Sequence, residues 1–341
     1  MAVDLSIVIV SWNVAELLRT CLTSILASPG VWIVPPTSTA GERGNAATRG
    51  EGGTRIYSIE LYVVDNASPD GSATMVREAF PQVHLIASER NLGFTRGNNV
   101  ALRQCQGRYV LLLNPDTRLV DDALAAMLAY MEAHPEVGVL GPRLCYGDGR
   151  SQSSRRRFPT LWTALLESTL LQQWFPRNRW ARAYYMADTP DDAIQEVDWV
   201  TGACMLVRAE AIRQVGLLDE GFFMYSEELD WCRRMAAAGW RTVYFPRATV
   251  IHYEGQSSAQ VVPVRHIHFQ SSKVRYFAKH HGAWQAEVLR CFLLATYLWQ
   301  LGEETLKYLL GHKRPLRRAR MRAYMQVLRS RLRSAEGGEA S

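Results

Sequence analysis

The first half of the chain alternates short apolar runs with stretches that have helical spacing. Three apolar runs have the length of a buried strand: Leu5–Val10, Ile59–Val64 and Tyr109–Leu113. Helical spacing of apolar residues follows them at 14–27, 74–80 and 121–133. Strands that alternate with helices are typical of a parallel sheet with right-handed crossover connections. We therefore predict an α/β fold with a mostly parallel sheet flanked by helices.

Polar side chains cluster at the points where these strands should end. They are Ser11, Trp12 and Asn13 after the first run, Asp65, Asn66 and Ser68 after the second, Asn91, Gly93, Phe94 and Asn98 around a further helix start, and Asn114 and Asp116 after the third. The carboxyl ends of parallel strands meet at one edge of the sheet, where open α/β sheets bind their ligands. Asp, Asn, Ser and Gly are also ordinary turn formers, so the pattern alone leaves a structural role open.

The composition indicates a globular protein with an uneven charge distribution. A chain of 341 residues with 48% apolar content can bury a sizeable core. The net charge is +6, yet nine Lys or Arg and no acid fall within 313–334, whereas residues 1–312 carry 30 basic and 31 acidic side chains. Six scattered cysteines favour a reducing compartment, and the first residues lack a signal-peptide pattern. We expect a cytoplasmic protein.

Changes in pattern along the chain suggest two domains. Residues 1–267 contain the strand and helix signals described above, interrupted at 34–56 by a stretch rich in Gly, Thr, Ser and Ala. Such a stretch has too few large apolar side chains to pack, so we interpret it as a flexible insertion. From residue 268 onward the pattern is helical and increasingly basic. We predict a catalytic domain at 1–267 and a helical extension at 268–341.

Seven ordered segments carry a resemblance to a known family; they lie at 11–13, 63–72, 91–99, 111–116, 202–212, 216–234 and 252–258. Together they resemble the inverting, metal-dependent glycosyltransferases of family 2, which have the GT-A fold with a Rossmann-like sheet. Within the family, the residues of these segments are most similar to those of rhamnosyltransferase-like members that act in bacterial cell-envelope assembly. The resemblance implies transfer of a sugar, L-rhamnose from dTDP-rhamnose, to a hydroxyl of a lipid-linked or polysaccharide acceptor.

In this context the polar strand ends are expected to bind a nucleotide-diphosphate sugar, linked to dTDP or UDP. The carboxylate of Asp65 could accept a hydrogen bond from the imide N–H of thymine or uracil. The other expected donor-binding residues are Ser11, Trp12, Asn13, Asn66, Ser68, Asn91, Gly93, Phe94, Asn98 and Asn114.

The resemblance also implies a divalent cation, Mg²⁺ or Mn²⁺, that bridges the donor phosphates. Asp116 is the expected ligand, and His252, which ends a β-branched run, is expected as a second one. The family turn is usually Asp-x-Asp, whereas here Asn114 replaces the first acid, so we expect modest affinity for a hard cation. The alternatives are a structural turn at Asp116 and a hydrogen-bonded structural histidine at His252.

Three acids at the start of a predicted helix supply candidates for the general base: Glu227, Glu228 and Asp230. An acceptor hydroxyl must lose its proton as it attacks the sugar, which requires a nearby carboxylate. The family pattern places the base on the second acid, here Glu228, although Glu227 stays open because glutamate replaces aspartate. Acids in the first turn of a helix also have a structural explanation in the helix dipole.

Three successive arginines, Arg155, Arg156 and Arg157, lie in an irregular middle region. They suit a phosphate of a lipid-linked acceptor or of the donor, and they suit a solvated surface equally well.

The C-terminal region combines apolar helical positions with a basic end. The run Val288–Leu301 is shorter than the roughly 20 residues that span a bilayer. Its apolar positions, Leu293, Tyr297, Leu301, Leu306 and Leu310, precede the basic segment. We predict amphipathic helices on an anionic membrane surface at the inner face of the cell membrane. The alternative is a helical hairpin packed on the protein or on a second subunit of a homo-oligomer; no nucleic-acid recognition module accompanies the arginines.

Two other functional classes stay open on the sequence. One is a sugar-nucleotide-binding protein without catalysis, which the Asn114 departure would allow. The other is a nucleotidyltransferase, which would normally need a Gly-rich basic loop after its first strand, where this chain has Ser11, Trp12 and Asn13.

Overall fold

The computed structural model describes residues 3–36, 55–253 and 262–333. Most of the predicted insertion at 34–56, and residues 254–258 of the last family-like segment, lie outside them. The chain forms two compact units: unit 1 comprises Met1–Arg157, Thr189–Asp219 and Glu228–Ser257, and unit 2 comprises Phe158–Asp188, Glu220–Glu227 and Ser258–Ser341. The division after residue 267 stays a prediction.

The first half of the unit 1 sheet is parallel. Strand β1 (Leu5–Ser11) lies between β3 (Tyr57–Asp65) and β5 (Tyr109–Leu113), and it is parallel to both. Strands β2 (Val31–Ile33) and β4 (His84–Ala87) pair in parallel with β3. Every residue of β1, β3 and β5 is buried, which explains why these strands appear in the sequence as continuous apolar runs.

The second half of the sheet is mixed. Its strands are β6 (Thr117–Leu119), β7 (Val137–Cys145), β8 (Ser151–Gln152), β10 (Gln195–Val197), β12 (Cys204–Arg208) and β13 (Arg241–His252). Strand β12 is antiparallel to both of its neighbours, β5 and β7, whereas β13 is parallel to β7. The strand order is β10-β13-β7-β12-β5-β1-β3-β2. Strands β9 (Arg155–Arg156) and β11 (Trp199–Val200) form a separate antiparallel pair.

The described helices are α1 (Ala15–Leu26), α2 (Ser72–Ala79), α3 (Gly93–Leu102), α4 (Ala123–Ala133), α5 (Leu161–Leu166), α6 (Leu170–Trp174), α7 (Arg179–Tyr184), α8 (Ala209–Val215), α9 (Glu227–Ala237), α10 (Val262–His281), α11 (Ala283–Leu309) and α12 (Arg314–Ser330). Leu18, Leu22 and Ile25 of α1 are fully buried in the unit 1 core with side chains of β1, β3 and β5. The predicted α/β fold with flanking and C-terminal helices is confirmed.

Unit 2 consists of helices joined by buried ion pairs. Lys273 Nζ lies 3.0 Å from Glu167 Oε2 and donates to the Glu167 carbonyl oxygen at 3.0 Å. Burial alone would raise the pKa of Glu167, but Lys273 and hydrogen bonds from Ser168 and Tyr185 hold that pKa below its ordinary value. Among residues 3–36, 55–253 and 262–333, no helix is long and apolar enough to cross a membrane.

Candidate functional site

The carboxyl ends of β1 and β3 lie side by side, as the sequence predicts. Ser11 is the register partner of Asp65, and the backbone N–H of Asn66 donates to the Ser11 carbonyl oxygen at 2.9 Å. Ser11 and Asp65 are both buried. Side chains from two turns that are more than fifty positions apart therefore share one edge of the sheet.

Two buried polar atoms at this edge have no hydrogen-bond partner within the described parts of the chain: Ser11 Oγ and Asp65 Oδ1. The second carboxylate oxygen of Asp65 accepts from the backbone N–H of Ser68 at 3.1 Å, which fixes the orientation of the carboxylate. Buried polar atoms are nearly always paired, so unpartnered ones need an explanation such as a ligand. A carboxylate oxygen next to a hydroxyl can bind an N–H group and a further donor or acceptor.

Asn66 and Ser68 connect the turns that surround this edge. Asn66 Nδ2 donates to the Gly93 carbonyl oxygen at 3.1 Å, and Asn66 Oδ1 accepts from Leu92 N at 3.4 Å. Ser68 Oγ accepts from the backbone N–H of Asn13 at 3.0 Å. These two side chains hold three of the predicted polar turns in a fixed arrangement.

The Asp70 side chain connects the first turns of two helices. Its carboxylate accepts from Ala15 N at 2.9 Å and from Ser72 N at 3.0 Å. Burial would raise the pKa of Asp70, but hydrogen bonds from the Ser72 hydroxyl and from these backbone groups lower it. The carboxylate therefore joins the starts of α1 and α2 next to the strand ends.

The remaining predicted donor-binding residues around α3 have different placements. Gly93, with φ +77°, starts the helix, and its N–H donates to Asn91 Oδ1 at 2.8 Å. Asn98 is buried, and its side chain donates to the Phe94 carbonyl oxygen at 2.8 Å. Asn98 thus stabilises the helix, whereas Asn91 is exposed and Phe94 and Trp12 are half-buried.

The structure brings Asn114, Asp116 and His252 together. Strands β6 and β13 are antiparallel, and His252 is the register partner of Thr117. His252 Nε2 lies 3.3 Å from Asp116 Oδ1 and 3.3 Å from Asn114 Nδ2. Asp116 and His252 are both buried. The two ligands expected from the resemblance therefore lie side by side, although they are far apart in the sequence.

Gln152 of β8 orients this histidine. His252 Nδ1 lies 2.9 Å from Gln152 Oε1, and the tautomer with its proton on Nδ1 donates a hydrogen bond to that oxygen. In that tautomer the single lone pair of Nε2 accepts a hydrogen bond from the Asn114 amide at 3.3 Å. A metal-binding histidine commonly donates its other N–H to such an oxygen partner. No sequence pattern marks Gln152, because the contact joins a two-residue strand to a residue 100 positions away.

The chemistry of these donors fits a cation that also binds substrate phosphates. Asp116 supplies a carboxylate oxygen and His252 an imidazole nitrogen, 3.3 Å apart. Across the described residues, no group of three or more His, Cys, Asp or Glu could hold a metal ion by itself. Mg²⁺ is commonly bound by one or two carboxylates plus substrate phosphates, so a small protein ligand set is compatible with a metal-phosphate complex.

Glu228 of α9 lies next to the end of β5. A Cβ atom built on Gly202 would be 3.7 Å from Glu228 Cβ and 3.8 Å from Phe94 Cε1. The following residue, Ala203, accepts a hydrogen bond from the backbone N–H of Asn114 at 2.9 Å. Glu228 is half-buried. Glu228 therefore packs one residue before the backbone partner of Asn114, at the sheet edge where the Asn114–Asp116 turn begins.

Asp230 and Glu227 have other surroundings. Asp230 is fully buried, and its Oδ2 accepts from Arg234 Nε at 2.9 Å. Arg234 also donates to the carbonyl oxygens of Val215 and Leu217, so this pair fastens α9 to the end of α8. Glu227 is buried and groups with unit 2, whereas Glu228 groups with unit 1.

The three arginines occupy different environments. The buried Arg155 forms an ion pair with Asp191, donates to the carbonyl oxygens of Thr189 and Pro190, and lies over the Tyr244 ring at 4.9 Å. Arg156 donates to Ser153 Oγ at 2.8 Å. Arg157 is half exposed and lies 3.3 Å from Asp198. The Arg155 guanidinium is therefore used to hold the 189–191 segment.

Sequence comparisons identify relatives of this chain. A family model, Glycosyl transferase family 2, matches residues 6–216. The N-acetylglucosaminyl-diphospho-decaprenol L-rhamnosyltransferase of Mycobacterium tuberculosis is 31% identical over 241 residues, which cover 67% of this chain and 78% of that protein. Rhamnosyltransferase WbbL of Escherichia coli K12 is 31% identical over 172 residues, which cover 47% of this chain and 61% of WbbL.

Solved structures with the same fold contain nucleotide and metal. The mannosyltransferase PcManGT of Pyrobaculum calidifontis, in complex with GDP-Man and Mn²⁺, has a TM-score of 0.52 at 15% identity, covering 97% of this chain and 87% of PcManGT. GalNAc-T7, with UDP, GalNAc and Mn²⁺, has a TM-score of 0.52 at 13% identity, covering 81% of this chain and 48% of its own. At these identities the likeness shows the fold alone, and it confirms the expected GT-A architecture.

Proposed function

Because this chain belongs to glycosyl transferase family 2 and is a glycosyltransferase, we propose that it transfers L-rhamnose from dTDP-rhamnose, with inversion, to a hydroxyl of a lipid-linked or polysaccharide acceptor. The named activities of its relatives in M. tuberculosis and E. coli support rhamnose as the sugar. One observation carries the mechanism: Glu228 packs at Gly202, whose neighbour Ala203 pairs with Asn114 in the turn that carries Asp116.

The donor nucleotide binds at the ends of β1 and β3 in this proposal. Asp65 Oδ1 accepts the imide N–H of thymine, which supplies the partner that this buried oxygen lacks among the described residues. Ser11 Oγ is available for a further hydrogen bond to the base or ribose. Asn66 and Ser68 act indirectly, because they keep the surrounding turns in place.

Asp116 and His252 hold a divalent cation, Mg²⁺ or Mn²⁺, in this proposal. When bound, the cation stabilises the charge that develops on the departing diphosphate. Gln152 supports this role because its Oε1 accepts a hydrogen bond from Nδ1–H of His252, which leaves Nε2 unprotonated; the cation would then replace the Asn114 amide as the partner of Nε2. With a single carboxylate in the set, this protein should need a higher metal concentration than an Asp-x-Asp relative.

Glu228 acts as the general base. Its carboxylate accepts the proton of the acceptor hydroxyl while that oxygen forms a bond to the anomeric carbon of the sugar. The bond from the anomeric carbon to the phosphate oxygen breaks, and the nucleoside diphosphate leaves with the bonding electron pair. Attack from the side opposite the leaving group inverts the anomeric configuration.

Glu228→Gln tests this assignment. The amide is nearly isosteric, so donor affinity should be preserved while transfer slows by about 10²-fold or more through loss of proton acceptance. Calorimetric titration of the donor and the rate of transfer to an acceptor are measured on the same preparation. Glu227→Gln is the matched control and should retain transfer. If only Glu227→Gln is slow, the base is Glu227, and if neither variant is slow, the helix carries no base.

A further inference from the structure

The C-terminal helices of unit 2 expose large apolar side chains. On α11, five of them form what we term the apolar stripe: Leu298, Trp299, Leu306, Leu309 and Leu310, the last being the residue that caps the helix. Leu310 is 75% exposed and Leu309 68%. By contrast, Leu293 and Tyr297 of the same helix are buried. One face of α11 therefore packs inside unit 2, and another presents apolar surface.

Cations flank the end of this stripe. The guanidinium groups of Arg314 and Arg318 lie 5.6 Å and 5.8 Å from the centre of the Tyr308 ring, and Arg318 donates to Tyr308 Oη at 3.0 Å. Tyr308 directly precedes Leu309 and Leu310. Leu316, between the two arginines in the chain, is 44% exposed. Basic and apolar side chains are thus interleaved where α11 ends and α12 begins.

Not all of the basic side chains of α12 face outward. Arg317 is buried, and its Nη1 donates to both carboxylate oxygens of Glu304 at 2.9 Å. Arg320 also lies 3.2 Å from Glu304. Burial alone would raise the pKa of Glu304, but hydrogen bonds from Arg317 and Arg320 lower it. This ion pair fastens α12 to α11, so deleting the basic segment would remove a packed helix as well as charge.

We propose that the apolar stripe, together with Leu316, Arg314 and Arg318, binds the surface of an anionic lipid bilayer. The helix lies in the plane of the interface, with its leucines and Trp299 between the headgroups and the first acyl carbons. The guanidinium groups of Arg314 and Arg318 then lie at the depth of the lipid phosphates.

Charge favours a bilayer over a second copy of the chain. In a two-fold dimer built on this face, the same patch contacts itself, and this patch contains the cations Arg314 and Arg318 but no acid to pair with them. Like charges held close together are unfavourable, whereas lipid phosphates neutralise them. Trp299 also suits a bilayer, because tryptophan is enriched at membrane interfaces.

Vesicle flotation of the full chain tests the proposal, with phosphatidylglycerol vesicles compared with phosphatidylcholine vesicles. Leu309→Ser/Leu310→Ser should lower the partition coefficient at least tenfold, since each leucine buries several methylene equivalents. Arg314→Gln/Arg318→Gln should lower it by about 30-fold on anionic vesicles, which corresponds to about fivefold for each cation. Raising the salt should weaken binding of the wild-type chain.

Arg213→Gln/Arg247→Gln, which removes two exposed cations of unit 1, is the charge-matched control and should bind vesicles like the wild type. Both test variants should keep the wild-type melting temperature and the wild-type rate on a water-soluble acceptor. Failure of the membrane proposal can therefore be distinguished from failure of the proposed glycosyltransfer. Wild-type vesicle binding by both variants would overturn the proposal. So would a leucine variant that dissociates a dimer in sedimentation while its vesicle binding is unchanged.

Discussion

The two units of this protein present opposite kinds of surface. Unit 1 buries its apolar side chains in the sheet core and leaves polar atoms such as Ser11 Oγ and Asp65 Oδ1 unpartnered within the described residues. Unit 2 exposes nearly all of the large apolar side chains that are exposed in the described structure; Ile194 is the exception, in unit 1. This difference underlies the two proposals, a small polar ligand at the sheet edge of unit 1 and a lipid surface at the C-terminal helices of unit 2.

The largest effect is expected in unit 1, from Asp116→Ala. Loss of the charged metal ligand should lower transfer by about 10³-fold or more at limiting metal, because a bound cation contributes several kcal/mol to leaving-group stabilisation. Transfer rates across a Mn²⁺ titration measure this. Asp122→Ala is the control, because Asp122 is exposed and makes no side-chain cap hydrogen bond. Near wild-type activity of Asp116→Ala at saturating metal would refute the ligand assignment.

In unit 2 we predict an effect of the buried Lys273–Glu167 ion pair on the stability of the protein. Lys273→Met leaves Glu167 buried without its cation, which should lower the free energy of unfolding by about 3 kcal/mol at neutral pH. Urea denaturation measures the loss, and Lys279→Met, at an exposed position of the same helix, serves as control.

The same pair predicts a pH dependence. Because the folded pKa of Glu167 lies below its ordinary value of 4.5, its stabilising contribution is complete above that value and is lost as the pH falls through the folded pKa. The wild-type chain should therefore lose stability on acidification below about pH 4.5, and Lys273→Met should lose less. Parallel acid curves for the two proteins would contradict this account of the pair.

A smaller effect is expected from Gln152→Leu, which removes the acceptor for His252 Nδ1. The metal concentration for half-maximal transfer should rise about tenfold, since outer partners of ligating histidines contribute this much to affinity. The rate at saturating metal should change little, because Asp116 and Glu228 are untouched. An unchanged metal dependence would show that Gln152 only packs against the ring.

Much of unit 1 follows from local sequence pattern. Runs such as Leu5–Val10 and Ile59–Val64 are buried on both faces, so they keep the continuous apolar character that identifies a parallel strand. Since such strands end at one edge, the proximity of Ser11 and Asp65 could be predicted without coordinates. The family membership and the glycosyltransferase activity expected from the resemblance are likewise confirmed.

Contacts between distant parts of the chain could not be predicted in this way. Strand β12 inserts between β5 and β7 in antiparallel orientation, a choice that its apolar run does not encode. Unit 2 is assembled from three separate chain segments. Its buried pair, Glu167 and Lys273, joins two of these segments, and no local pattern predicts that contact. The helical spacing of α11 marks its apolar positions, but it does not distinguish the buried Tyr297 from the exposed Leu310.

The central claim is that the polar edge of unit 1 binds a nucleotide-diphosphate sugar for transfer. Calorimetry of the full chain with Mn²⁺ and a panel of dTDP-, UDP- and GDP-linked sugars tests it most directly, with Asp65→Ala as the comparison variant. We predict that dTDP-rhamnose binds most tightly and that Asp65→Ala loses at least tenfold in affinity for it, as expected when a buried charged hydrogen bond is removed. Binding of no nucleotide sugar in the panel by the wild-type protein would contradict the account.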